Sequence, residues 1–178
     1  MKLVVLASGA GTLAQAIFDG GFNVVGLICD QPGAHVISRA EKCGIPVFLH
    51  PMQSDRAAWN HQVGAQLRQL QPDLVVAAGF MRILASEIVE EFQIINCHPS
   101  LLPLFPGAHA VRDALNAGVN QTGATIHWMD AGVDTGEVIA QEQIAIEPGD
   151  TEESLHERIK IVERGLIVAT LRQLQERV

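Results

Sequence analysis

Short, unbroken apolar runs alternate along the first half of the chain with longer stretches whose apolar positions recur at helical spacing. KLVVLA (2–7), NVVGLIC (23–29), PVFL (46–49) and DLVVAAG (73–79) predict strands buried on both faces. Between them, segments near 12–19, 33–43 and 55–70 predict helices, the last rich in Ala, Gln, Leu and Arg. A βαβαβαβ order implies a parallel, doubly wound sheet with right-handed crossovers. The expected fold class is therefore α/β and Rossmann-like.

The pattern changes after a further strand predicted at 92–97. ATIHWMD (124–130) and EVIAQEQIAI (137–146) flank AGVDTG, a connection short enough to imply antiparallel neighbours. A long terminal helix follows, with Asp150 or Thr151 as its cap and Glu152 and Glu153 in its first turn. Its apolar positions are 155, 159, 162, 166 and 167. Without a linker, repeat or low-complexity tract, residues 1–178 read as one domain with two functional halves.

Composition narrows the partners. Hydrophobic residues make up 48% of the 178 and charged residues 18%, the profile of a packed globular protein. A formal net charge of -8 disfavours a general nucleic-acid grip or an anionic-membrane surface, which leaves small ligands. Gly9 and Gly11 interrupt the apolar start before a targeting core forms, and no run reaches membrane-spanning length. Cys29, Cys43 and Cys97 are too few and too scattered for a disulfide framework or a paired-cysteine zinc site. A reducing, cytoplasmic location is expected.

Two stretches carry candidate chemistry. In ASGAGTLAQAI (7–17), Gly9, Gly11 and Ala14 satisfy G-x-G-x-x-A, and Asp30 ends the second strand where a dinucleotide fold places its ribose-binding acid. That supports a nicotinamide-dependent oxidoreductase. The same loop could instead hold one phosphate monoester on backbone N–H groups, with Ser8 and Thr12 adding hydroxyls, or could be a tight turn that binds nothing.

The second stretch is IINCHPSLLPLFPG (94–107). Alternation places Asn96 and His98 on one face of a strand end and turns Cys97 to the other. Pro99, Pro103 and Pro106 then stiffen the loop behind them. An amide and an imidazole so placed could stabilise an oxyanion or move a proton. MDAGVDTG (129–136) offers Asp130 and Asp134 to favour the charged ring, with Asp134, bracketed by Gly132 and Gly136, preferred. Simple turn hydrogen bonds are the commoner fate of Asp beside Gly. Cys97 is expected to be a buried thiol, and His109 and His127 satisfied structural histidines; Arg82 is expected at a pocket lip.

SGAGT, GFMRIL (79–84), NCHPSLLPLFPG (96–107), GATIHWMDAGVDTG (123–136) and VIAQEQIAI (138–146) resemble, in order and over nearly the whole chain, the phosphoribosylglycinamide formyltransferase family. The resemblance implies formyl transfer from 10-formyltetrahydrofolate to the amine of glycinamide ribonucleotide, in purine biosynthesis, without a metal. It matches Asn96, His98 and Asp134 to a catalytic trio. It matches Met81, Arg82, Ile83 and Leu84, with Asp130, Ala131, Gly132 and Val133, to two walls of a folate pocket. Gly11, Thr12 and Leu13 match a phosphate-holding loop, and Glu163 an acid that binds ribose hydroxyls. The N-terminal half would then bind nucleotide phosphate and the C-terminal half folate, with room for a homodimer.

The chain departs from the family where several members carry asparagine and it has Ala10 and Leu13, so backbone donors must hold the phosphate. Leu104 and Phe105 also replace a more usual basic and aromatic pair. Other folate-dependent formyltransferases and a formyltetrahydrofolate deformylase share the catalytic half, and their added domains would not fit in 178 residues. The oxidoreductase reading leaves Asn96, His98 and Asp134 without a task.

Overall fold

A computed structural model describes residues 1–176 and contains seven strands and six helices among them. By contact the chain divides into two compact units, Met1–Ile95 and a second that begins at Asn96.

The first unit holds β1 (Lys2–Ala7), α1 (Thr12–Asp19), β2 (Asn23–Cys29), α2 (His35–Lys42), β3 (Val47–Leu49), α3 (Arg56–Leu70), β4 (Leu74–Ala77) and α4 (Ser86–Glu91). The strands run parallel in the order β3-β2-β1-β4, the doubly wound pattern that the alternation predicts. Apolar runs end together because registers such as Ala7↔Cys29 and Leu6↔Ala77 align them. Leu3 through Ala7 are fully buried, as expected of a strand covered on both faces. Asp55 caps α3 by accepting from the Ala58 amide at 3.0 Å. Trp59 on that helix is fully buried, stacked on Phe80 with ring centroids 6.2 Å apart.

Strand β5 (Ile94–His98) crosses from one unit to the next. The second unit continues with α5 (Ala110–Asn116), β6 (Gln121–Trp128), β7 (Val138–Ala145) and α6 (Glu152–Glu176). Strands β6 and β7 pair antiparallel, from Gln121↔Ala145 to His127↔Val138, as the short connection between them requires. A Cβ at Gly123 would stand 2.0 Å from the Glu142 carbonyl oxygen, so only glycine allows that pairing. Helix α6 lays Leu155 and Ile159 against Ala124 of β6 and Val111 of α5. Its start is fixed reciprocally: Thr151 Oγ1 accepts from the Ser154 amide at 3.2 Å, and Ser154 Oγ from the Thr151 amide at 2.9 Å.

The fold class is thus α/β, mostly parallel, with antiparallel strands in the C-terminal part. Helices α4 and α5, of 6 and 7 residues, are too short to leave a periodic signal and were not expected. Strand β6 begins at Gln121 rather than 124: Gln121, Thr122 and Gly123 have the composition of a turn, but pairing with Ala145, Ile144 and Gln143 of β7 draws them into the sheet.

Candidate active site

In the first unit the glycine-rich loop links β1 to α1 as predicted. Gly11 is the cap of α1 at φ 72°, and a Cβ there would lie 2.5 Å from Cβ of Val36. Left-handed backbone and close approach both require glycine. Arg39 Nε donates to the Ala10 carbonyl at 2.8 Å, which ties the loop to α2. Leu13 is buried, so at that position only the backbone can face a ligand. Ser8 Oγ accepts from the Met81 amide at 2.9 Å, joining the loop to the segment after β4.

That segment divides. Met81 and Ile83 are exposed at 70% and 60%, whereas Leu84 is buried in the core. Its backbone is strapped in place: Arg56 donates to the Ile83 carbonyl at 2.7 Å, and the Ala85 amide donates to Asn60 Oδ1 at 2.8 Å. Arg82 Nε reaches Asp30 Oδ2 at 2.6 Å. Asp30 is 2% exposed and, among the described residues, its Oδ1 is buried without a partner. A carboxylate so enclosed is not offered to a ribose, which removes the feature on which the dinucleotide reading leaned.

The second unit gathers the polar ends of β5 and β6 around one carboxylate. Asp134 Oδ2 lies 3.4 Å from His98 Nδ1 and accepts the Gly107 amide at 2.7 Å. Its Oδ1 lies 3.5 Å from His127 Nε2 and 3.4 Å from Asn96 Nδ2. Burial by itself raises the Asp134 carboxyl pKa. The His127 hydrogen bond, the Gly107 amide and the charges of both imidazoles more than offset it, bringing the value to about 2. The group is therefore a carboxylate at any ordinary pH. Asp134 itself adopts φ 54°, a left-handed turn that aims its side chain inward.

Hydrogen-bond partners constrain both rings. His98 Nε2 stands 2.8 Å from the Phe105 carbonyl, which can only accept, while Nδ1 faces Asp134. Both nitrogens thus face acceptors, and only the doubly protonated ring donates to both. His127 Nδ1 donates to the Trp128 carbonyl at 2.9 Å, so Nε2 either accepts from Asn96 Nδ2 at 3.3 Å or, when protonated, donates to Asp134.

The proline loop is pinned from β6 and β7. Thr125 Oγ1 donates to the Ser100 carbonyl at 2.6 Å and accepts from the Leu102 amide at 3.1 Å. Gln141 Nε2 donates to the Leu102 carbonyl at 2.7 Å, and Ser100 Oγ to the Leu104 carbonyl at 2.6 Å. These bonds hold the Phe105 carbonyl over His98.

Asp130 is spent locally: its Oδ1 accepts from the Gly132 amide at 3.0 Å and from Thr135 Oγ1 at 2.8 Å, the turn role weighed for it above. Ala131, Gly132 and Val133 are exposed along the same turn. Cys97 is buried on the far face of β5, where its Sγ donates to Glu163 Oε1 at 3.5 Å. The residue that sequence reasoning missed is His127. A lone histidine in an apolar strand reads as structural, and the one available signal was its place at the other stem of the loop that carries Asp134.

The formyl transferase family model matches residues 1–171 of this sequence. The chain belongs to the formyl transferase family. Among similar proteins within this family, the phosphoribosylglycinamide formyltransferase of Mycobacterium tuberculosis is 44% identical, covering 97% of this chain and 84% of that protein. The Bacillus subtilis protein of the same name is 39% identical, over 97% of this chain and 94% of the relative. The solved glycinamide ribonucleotide transformylase 1 of Symbiobacterium toebii superposes with a TM-score of 0.95 at 35% identity, over 99% of this chain and 88% of that one.

Proposed function

We propose that this chain transfers the formyl group of 10-formyltetrahydrofolate to the primary amine of glycinamide ribonucleotide, a step of purine biosynthesis. The observation that carries the reading is the Asp134 carboxylate set between Asn96 and two imidazoles, beside a backbone held rigid by the proline loop. The names of the relatives support the formyl group and its glycinamide ribonucleotide acceptor, and the folate donor rests on the resemblance of the sequence motifs.

The neutral amine attacks the formyl carbon, and the C=O π electrons move onto oxygen. Asn96 Nδ2–H and the charged His98 ring stabilise the resulting oxyanion. The oxyanion competes with the Phe105 carbonyl for the His98 Nε2 proton, and it is much the stronger acceptor. Asp134 keeps the ring charged and orders a water that carries the proton from the attacking nitrogen to the folate nitrogen. The C=O then re-forms as the carbon–nitrogen bond to the folate breaks.

In this reading the exposed Met81 and Ile83, with Arg82, Leu84 and the 130–133 turn, serve the folate. The amides of Gly11, Thr12 and Leu13 receive the phosphate, and Glu163 the sugar hydroxyls. A cytoplasmic setting belongs to the same reading of the chain as a purine-biosynthesis enzyme. No helix among the described residues is long and apolar enough to cross a membrane.

The test is an assay of the full chain with both substrates, following formylated ribonucleotide and free tetrahydrofolate. The two products should appear in equal amounts. Release of formate without a formylated ribonucleotide would make the chain a deformylase instead.

A further inference from the structure

Among the described residues, Glu163 is the one charged side chain on the buried face of α6. It lies on α6 between Ile159 and Ile167, both fully buried, and is itself only 8% exposed. Among the described residues its one hydrogen-bond partner is the Cys97 thiol, at 3.5 Å from Oε1. A buried carboxylate with a single weak donor is costly, and an apolar side chain would serve the fold better. Burial raises the Glu163 carboxyl pKa, and burial together with the Glu163 charge pushes the Cys97 thiol well above its ordinary value. At neutral pH the thiol is therefore a proton donor rather than a nucleophile.

We infer that Cys97 is a positioning residue, its thiol holding Oε1 of Glu163 so that Oε2 is presented to the vicinal hydroxyls of the nucleotide's sugar. The role rests on the nucleotide reading of Glu163 given above. A carboxylate suits a diol, since it is an acceptor only and a diol supplies two donors. A thiol suits the other oxygen because it orients without satisfying: an arginine there would take both oxygens in a bidentate pair and blunt the demand for a ligand's protons. Strand β5 ends at His98, so a substrate lying across its carboxyl end can meet side chains from both faces.

Steady-state kinetics of Cys97→Val, Cys97→Ser and Glu163→Gln test this, with glycinamide ribonucleotide and its analogue lacking the 2′-hydroxyl. Cys97→Val should raise KM for the ribonucleotide about tenfold, the worth of one charge-assisted hydrogen bond. Its kcat should stay within about twofold, its preference over the deoxy analogue should shrink, and Cys97→Ser should restore both. Cys97→Ala, which cannot overpack the site, replaces Cys97→Val if the latter melts early. Unchanged KM in Glu163→Gln would overturn the nucleotide reading itself. A raised KM in Glu163→Gln beside wild-type behaviour in Cys97→Val would overturn the thiol's role, as would equal losses for the two nucleotides.

Discussion

The Gly107 amide donates to Asp134 Oδ2 at 2.7 Å, so the end of the proline loop and the carboxylate of a distant turn hold each other. Two residues before Gly107, Phe105 adopts φ 55° and turns its carbonyl onto His98 Nε2. One short loop therefore fixes the carboxylate on one nitrogen of the imidazole and the carbonyl on the other. Stiffness contributes to the site here, because a loose loop would have to be ordered again in each turnover.

Asp134→Asn tests the charge apart from the shape. Its carboxyl is held at about 2, below the ordinary 3.8, so its ionised form stabilises the fold above about pH 4. That contribution is lost as pH falls through about 2, and amounts to about 2 kcal/mol. Urea unfolding between pH 2 and 5 should therefore be less steeply pH-dependent in the variant. Turnover at neutral pH should fall about a hundredfold or more while both KM values change little. A variant with near-normal turnover would remove Asp134 from the chemistry.

What the sequence reveals depends on how local the cause is. Strand alternation is enough to place Asn96 and His98 together and Cys97 opposite, and glycine-bracketed Asp134 stands out as a turn acid. The Asp30–Arg82 pair has no such local cause. It forms because parallel register brings the ends of β1, β2 and β4 level, something no short window contains. Gly11 is legible only in part: the tight turn shows in the sequence, whereas the approach of Val36 that would meet a Cβ there does not.

His127→Phe keeps the ring's bulk but removes the acceptor for Asn96 and the donor for Asp134. Asn96 should then lose its fixed orientation, and kcat should fall about tenfold with both KM values within about twofold, the signature of a group felt mainly in the transition state. Asp134 would also lose one of the bonds that lower its pKa, so the variant's acid unfolding should begin at higher pH than the wild type's. A variant normal in both respects would return His127 to a purely structural role.

Gly11→Ala should cost stability before it costs affinity. The new Cβ meets Val36 and must be carried at φ 72°, so a loss of about 1–3 kcal/mol is expected from thermal or urea unfolding. The double variant Gly11→Ala, Val36→Ala relieves the contact but not the backbone strain, and should recover part of the loss. Should the single variant fold as stably as the wild type while its ribonucleotide KM rises, the loop's glycine would be serving the phosphate alone.

Arg82 was expected at the lip of a folate pocket, and its guanidinium is committed to a carboxylate that is only 2% exposed. Arg82→Met keeps the apolar stem and deletes the charge, leaving Asp30 buried with neither oxygen ion-paired. Removing one partner of such a pair costs about 3 kcal/mol, more than a surface ion pair is worth. Adding Asp30→Asn removes the stranded charge, so the double variant should regain most of that stability. If Arg82 also contacts the folate, the double variant will be stable and yet bind a folate analogue more weakly. Calorimetric titration of that variant separates the two roles: stability restored with full analogue affinity would make Arg82 a structural counter-ion only, and stability restored with weakened affinity would give it both tasks.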